Sequence, residues 1–386
     1  MFSITKRIQY IGVNDHDIDL FEGQYQVPNG MAYNSYAIVD DKIAILDTVD
    51  ARFQEEWLKN IEELVGDKGY PDYLVVHHME PDHSGTILRF TREYPNTKIV
   101  ASAKAFAIMK NFFGTDFAYR QVVVKENDVL ELGEHRLTFL TAPMVHWPEV
   151  IMSYESKEQI LFSADAFGKF GALDVEEPWT DDARRYYIGI VGKYGMPVQT
   201  VLKKAANLPI KKICSLHGPI LEENLDYYLN LYKTWASYEP EEEGIVIAYA
   251  SIYGNTKNAA LELADILKTS YTGPVVTYDL ARCDQAKAIA DTFRYSNVIL
   301  AASTYNGGLF PYMRTFIEGL MERGFSNRKV GLMENGSWAP AAAKEMMAML
   351  EKGKNLTFLE PQVRIFSALN EESHSQMKDL VAKILE

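Results

Sequence analysis

The chain has only two cysteines, Cys214 and Cys283, in 386 residues, and they form no CxxC pair. That excludes an internal rubredoxin-type iron site, a zinc ribbon and a cysteine-ligated iron–sulfur cluster. Each thiol reads as an isolated buried residue. Basic residues are also scarce. There are 39 Lys and Arg against 53 Asp and Glu, giving a formal net charge of −14. Nucleic acids and anionic membranes both recruit an excess of Lys and Arg, so neither is an expected partner. No apolar run reaches the roughly 18 residues of a membrane span. The N-terminus, "MFSITKRIQYIG", has no apolar stretch of signal-peptide length. The expected location is the cytoplasm. Internal repeats, low-complexity segments and a GxGxxG turn are absent too, so a dinucleotide-binding fold is not supported.

What is present suits more than one domain. The hydrophobic fraction of 47% supplies real cores, and the length fits two or three domains. "YEPEEEG", residues 238–244, is an acidic stretch marked by Pro and Gly that reads as a linker. It sets expected domains at 1–240 and 244–386. Before it, "YNSYAIVDDKIAILDTV" alternates around an Asp-Asp turn as a hairpin does. "VVVKENDVLELGEHRLTFLTAP" and "EVIMSYESKEQILFSADA" look like further hairpins, and "DYLVVHH" like a short apolar strand. Helical patterns lie near 51–65, 84–93, 103–112, 180–205 and 222–236.

After the linker, strands and helices alternate strictly. "GIVIAYA", "GPVVTYDL", "SNVILAAS", "KVGLM" and "PQVRIFS" are candidate strands, with helices starting near Thr256, Asp284, Pro311, Pro340 and Glu371. Such alternation makes an open, doubly wound parallel sheet whose ligand sits at the carboxyl ends of the strands. The loops there should carry its contacts. "ASIYGNT" offers Ser251, Asn255 and Thr256 as donors, Gly254 for close backbone approach, and a helix N-terminus behind them. That combination is a phosphate cradle that needs no lysine. "STYNGGLFP", 303–311, sets an aromatic beside two glycines, as a flat ring held near backbone requires, and "ENGSWAP", 334–340, adds Trp338. All three loops are expected to follow odd strands at one sheet edge.

Residues 244–386 therefore resemble a flavodoxin domain, with the three loops matching its FMN-binding loops. The resemblance implies FMN phosphate on Ser251, Tyr253, Gly254, Asn255 and Thr256. It implies the isoalloxazine between Thr304, Tyr305, Asn306 and Gly307 on one side and Gly336, Ser337 and Trp338 on the other. Residues 1–240 resemble the metallo-β-lactamase fold, an αββα sandwich. Hydrolases of that fold carry HxHxDH and bind zinc. This chain reads His78-x-Glu80-x-Asp82-His83 within "HHMEPDHSG". His146, Asp165 and His217 follow, each just past an apolar strand where a sheet edge would aim it at one point. Imidazoles and carboxylates in this number suit two metals, and the mixture favours non-haem iron. Glu80 adds a hard anionic oxygen that helps hold Fe(III) as well as Fe(II), which points to redox cycling. His77 falls outside the spacing. In an extended strand its side chain faces away from that of His78, so it reads as structural.

The two motifs together are those of the flavodiiron proteins, and the resemblance covers essentially the whole chain. It implies one iron on His78, Glu80 and His146, a second on Asp82, His83 and His217, and Asp165 bridging them. Tyr194, in "GKYG", matches an aromatic that lines the open face of the site. The implied activity is reduction of O2 to water, of NO to N2O, or both. Reduced FMN and two ferrous ions hold the four electrons that O2 requires. Electrons would come from a separate donor such as rubredoxin. The implied assembly is a head-to-tail homodimer or a dimer of such dimers. The rival reading is a zinc-dependent hydrolase of the metallo-β-lactamase fold fused to a flavin-binding domain.

Overall fold

A computed structural model describes residues 1–386, which form two compact units, Met1–Lys233 and Thr234–Glu386. No helix is long and apolar enough to cross a membrane.

In the first unit the expected hairpin forms where the Asp-Asp turn places it. Tyr36–Val39 pairs antiparallel with Ile43–Leu46, and Tyr73–Val75 then adds in parallel. Lys98–Ala101 and Gln121–Val123 extend that parallel edge, while Ile8–Tyr10 and Phe2–Ser3 extend the other, completing a seven-stranded sheet. A second sheet of five runs Val129–Glu131, Arg136–Thr141, Ile151–Glu155, Ile160–Phe162 and Lys212–Cys214. Alternation decides what lies between the sheets. Tyr36, Ile38, Ala44, Leu46 and Val75 of the first pack with Leu137, Phe139, Ile151, Ile160, Phe162 and Cys214 of the second. The alternate residues Ala37, Ile45, Leu74 and Ile99 are buried as well, so the outer face of the first sheet is also covered. Helix Gln54–Val65 has the matching stripe, burying Trp57, Leu58, Ile61 and Val65 at three- and four-residue spacing. The αββα expectation is borne out.

Two expectations for this unit need correcting. "VVV" does not form a hairpin with the strand after it. Gln121–Val123 lies parallel to Lys98–Ala101 in the first sheet, and the chain then crosses to start the second. Alternation is the same in either sheet, so it cannot report the crossing. The helix expected over 180–205 is interrupted. Trp179–Tyr186 passes into a π turn, Tyr187–Val191, then a 3-10 turn, Gly192–Tyr194, before helix Gly195–Ala205. Gly189 sits in the π turn, where a Cβ would lie 2.8 Å from the Tyr25 ring. The interruption is where that aromatic approaches the backbone.

The second unit is a parallel sheet in the order Val275–Asp279, Glu242–Ala250, Tyr295–Tyr305, Arg328–Asn335. Leu356–Phe358 and Val363–Ile365 both pair with the last of these, so the expected fifth strand has an unanticipated partner segment. Helix Asn255–Ser270 buries Ala259, Ala260, Leu263, Ala264 and Leu267 against Ile245, Ile247 and Ile299 of the sheet. The expected linker is ordered. Glu242 and Glu243 open a strand, and Arg294 and Ser296 bind their carboxylates. The boundary between units falls at Lys233/Thr234, inside helix Leu225–Ala236. Acidity and a proline marked a break in pattern but said nothing of the partners that tie the segment down.

Candidate metal centre and ligand cleft

Strand Tyr73–Val75 ends and delivers the histidine-rich loop to the edge of the first sheet. Asp47, at the end of the neighbouring strand, holds that loop. Its Oδ1 accepts from the backbone N–H of His77 at 2.7 Å, and its Oδ2 meets His77 Nδ1. His77 Nε2 lies 2.8 Å from Ser153 Oγ. His77 is thus enclosed by partners away from the cluster. Thr48 Oγ1 donates to the His83 carbonyl, and Ser84 Oγ to that of Met79. Extended backbone puts His78 and Glu80, two apart, on one side. Pro81 then starts the short helix Pro81–Ser84, which swings Asp82 and His83 round beside them.

Two groups result. His78, Glu80, His146 and Asp165 offer ligand atoms that all lie within 4.8 Å of one another, as do Asp82, His83 and His217. His146 Nε2 is 3.0 Å from both Glu80 Oε2 and Asp165 Oδ2, and His78 Nε2 is 3.3 Å from Asp165 Oδ2. Asp165 Oδ1 faces the other group, 3.8 Å from His83 Nε2 and 3.9 Å from His217 Nε2. One carboxylate therefore presents an oxygen to each side. The nitrogens of His83 and His217 point at each other, 2.9 Å apart.

These residues fit metal ions by three physical criteria. The oxygens of Asp82 and Asp165 are buried and make no hydrogen bond of good geometry, and their near neighbours are the imidazole nitrogens of the same groups. Orphaned carboxylates are costly unless a cation meets them. His217 Nδ1 faces the Ala32 carbonyl at 2.8 Å and donates to it, which turns the other ring nitrogen, Nε2, towards His83 and the centre. Electrostatics agrees. Burial opposes a charged ring, yet Asp165 and Glu80 push His146 up to about 9, and burial of Asp82 is outweighed by His83 and His217, which hold its carboxyl well below the usual range. Protons here stand in for missing positive charge, so a metal would displace them. Each group is a two-histidine, one-carboxylate set with Asp165 shared, and no thiol takes part. That donor set suits non-haem iron.

Several residues around the centre had no signal in the sequence. Phe21, Tyr33 and Tyr186 bring their rings to 5.4, 6.2 and 5.4 Å from that of His217. Tyr194 is half-buried in the turn ahead of helix Gly195–Ala205, and the tyrosine rings that meet the cluster are Tyr33 and Tyr186. Glu149 lies behind His78, its Oε1 2.9 Å from Nδ1. Only its place three residues after His146, in "HWPE", hinted at it. Cys214 packs in the core between the sheets, and burial pushes its thiol up.

In the second unit a cavity of about 520 Å³ opens at the carboxyl edge of the sheet. Its lining includes Ser251, Tyr253, Asn255, Thr256, Thr304, Tyr305, Asn306, Gly307, Gly336, Ser337 and Trp338. Gly254 is not in the lining. It caps helix Asn255–Ser270 at φ 99, a conformation open to glycine, and no side chain caps that helix, so its first N–H groups face outward. Ile252, Ser303, Asn335, Ala339 and Ser367 join the lining without having been anticipated. Thr304 Oγ1 accepts from Ala341 and Ala342 N–H, so that hydroxyl is committed to the start of the next helix. Tyr253 and Trp338 are 96% and 88% exposed, which is unusual for large aromatics and suits rings waiting for a flat partner. The third loop follows the fourth strand in sequence, not an odd one. The order 2-1-3-4 makes strands one, three and four neighbours, and that adjacency brings the loops together.

Comparison with known proteins agrees with both halves. Residues 31–218 match the model of the ODP family beta lactamase, and residues 246–366 that of a flavodoxin domain. The chain is 28% identical over 362 residues to the anaerobic nitric oxide reductase flavorubredoxin of Escherichia coli O1:K1, covering 90% of this chain and 74% of that protein. Among solved structures, the rubredoxin oxygen:oxidoreductase from the anaerobe Desulfovibrio gigas superposes with a TM-score of 0.91 at 25% identity, over 99% of this chain and 97% of that one. The flavodiiron protein from Giardia intestinalis gives 0.87 at 23% identity, over 100% and 97% of the two chains, and shares the fold.

Proposed function

We propose that this chain, a beta-lactamase-type domain followed by a flavodoxin domain as in the flavodiiron proteins it resembles, is an oxidoreductase that reduces O2, NO or both. The observation that carries the reading is Asp165, whose two oxygens face two separate two-histidine, one-carboxylate groups. In this reading His78, Glu80 and His146 hold one iron, Asp82, His83 and His217 hold the other, and Asp165 joins them. The cavity of the second unit holds FMN, its phosphate at the uncapped helix N-terminus and its ring beside Tyr305 and Trp338. When reduced, FMN would supply two electrons and the two irons two more, enough to take O2 to two waters, while two suffice to join two NO as N2O and water. The chain's own part is to fix the ligands, keep the centre behind Phe21, Tyr33 and Tyr186, and leave room for a diatomic gas. O2 and NO need no charged binding surface.

These 386 residues contain no paired cysteines and so no rubredoxin-type site, and in this reading their electrons come from a rubredoxin-type donor. Two free thiols and no disulfide suit a reducing compartment, the cytoplasm. The working unit in this reading is a head-to-tail homodimer or a dimer of such dimers. The zinc-hydrolase reading is disfavoured because Glu80 stands where HxHxDH has its second histidine. The test is metal and flavin analysis of anaerobically purified protein, followed by turnover of each gas with a reduced donor. Two irons and one FMN per chain with gas consumption are expected. Two zincs with ester or amide hydrolysis would overturn the reading.

A further inference from the structure

The ring nitrogens of His78, His83 and His217 that face away from the centre do not have equivalent surroundings. His78 Nδ1 meets Glu149 Oε1 at 2.9 Å, and neither side chain has any exposed surface. His217 Nδ1 meets only the neutral Ala32 carbonyl, and His83 Nδ1 has no partner. The carboxylates within 4 Å of His83, His146 and His217 are the inner ones, Glu80, Asp82 and Asp165. Glu149 is thus the one acid placed behind a ring. It is tied to the same group twice more. It follows His146 by three residues, and its Oε1 also accepts from the Met79 N–H between His78 and Glu80, at 2.9 Å. Glu22 is near enough to Glu80 on this side to feel its charge. The other side faces Tyr33, whose hydroxyl lies between Asp15 and Arg52, themselves paired at 2.7 Å.

We infer that Glu149 is a positioning residue that makes the two metal positions unequal. The metal on His78, Glu80 and His146 is the harder of the two to reduce. The inference rests on the reading of the two groups as an iron pair. A carboxylate behind a ligating imidazole fixes its tautomer and raises its basicity. Its charge, buried in low dielectric, favours the more positive metal. The two groups have matching inner ligands, one carboxylate and two imidazoles each with Asp165 shared, so the buried acid behind His78 adds a difference that the inner ligands do not.

Glu149→Gln tests this directly. The amide can keep its carbonyl at the Oε1 position, still accepting from Met79 and His78, and put its NH2 where Oε2 has no partner. The hydrogen bonds stay and the charge goes. Iron- and FMN-loaded wild type and E149Q are titrated anaerobically, following the irons by EPR and the flavin by absorbance. The second iron step is expected to move to higher potential by about tenfold in its equilibrium constant, 59 mV at one electron, narrowing the gap to the first step while FMN stays put. A chelator should remove one of the two irons about 10–100-fold more readily. If both steps move together, or neither moves, the inference is wrong. It is also wrong if Glu149→Ala perturbs the centre while E149Q matches wild type, because the role is then structural. E149Q that keeps one iron and releases the other supports the asymmetry. Release of both with unchanged far-UV circular dichroism overturns it. Wild type lacking two irons sinks the functional reading and this inference with it, whereas wild type with two irons and an unmoved E149Q sinks this inference alone.

Discussion

Glu80 is a single side chain on which the choice of metal chemistry turns. A histidine there would complete HxHxDH and a softer, neutral donor set. The carboxylate instead lies 3.0 Å from His146 and 3.2 Å from His78, adding negative charge to the first group. Glu80→His is therefore expected to shift preference towards zinc and abolish gas reduction, as judged by metal analysis and turnover. An iron-loaded, active variant would show that the carboxylate is not what selects iron. Asp165 gives a sharper case, because it faces both groups. Asp165→Ala should lose both irons while FMN stays bound, since the second unit has a core of its own. Two irons retained by mass spectrometry would remove Asp165 from the bridge. Residue types and spacing made these candidate ligands legible in the sequence, because a metal demands a few donors of known kind, and the fold brings them together. The outer residues were not legible. Asp47, Glu149 and Tyr186 act through contacts across the fold, and a lone acid or tyrosine in sequence looks like any other.

At the scale of elements, periodicity found the strands and most helices, because alternation and the three-to-four spacing are set locally by burial. It failed where tertiary contacts overrule local pattern, in the sheet crossing after Gln121–Val123 and the interrupted helix of 187–194. The interruption has a testable cause. Tyr25 Oη donates to the Gly189 carbonyl at 2.8 Å, and its ring occupies the space a Cβ would take. Gly189→Ala should displace Tyr25 from Phe170 and cost about 1–3 kcal/mol, read as a lower thermal midpoint for the first unit. A variant as stable as the parent would mean the ring moves aside freely. The helix Asn255–Ser270 carries a second prediction. Replacing both Asn255 and Thr256 with Ala removes groups at its uncapped start, each hydrogen bond to a charged phosphate being worth roughly 1.5–3 kcal/mol. Fluorescence titration should show FMN affinity falling by at least tenfold. Unchanged affinity would place the phosphate elsewhere in the cleft.

At the scale of the molecule, the two sites belong to separate compact units. The metal groups draw on residues 78–217 and the cleft on residues 251–367. In the proposed reaction electrons entering at one reach the other, and the proposed assembly serves that transfer. A two-fold, head-to-tail dimer sets the flavin of one chain against the metals of its partner, and symmetry repeats each contact. The expectation is a homodimer, or a dimer of such dimers, as the smallest active unit. A mixed dimer discriminates. One chain carries Asp165→Ala and lacks iron; its partner carries the Asn255 and Thr256 changes and is assayed at flavin levels too low to fill its cleft. Either variant alone should be inactive under those conditions. Transfer between chains leaves the mixed dimer one working flavin–metal pair and roughly half the activity. Transfer within a chain leaves it none, because no single chain then holds both groups. An inactive mixed dimer would rule out the head-to-tail arrangement, and turnover by a chain shown by ultracentrifugation to be monomeric would remove the need for a dimer altogether.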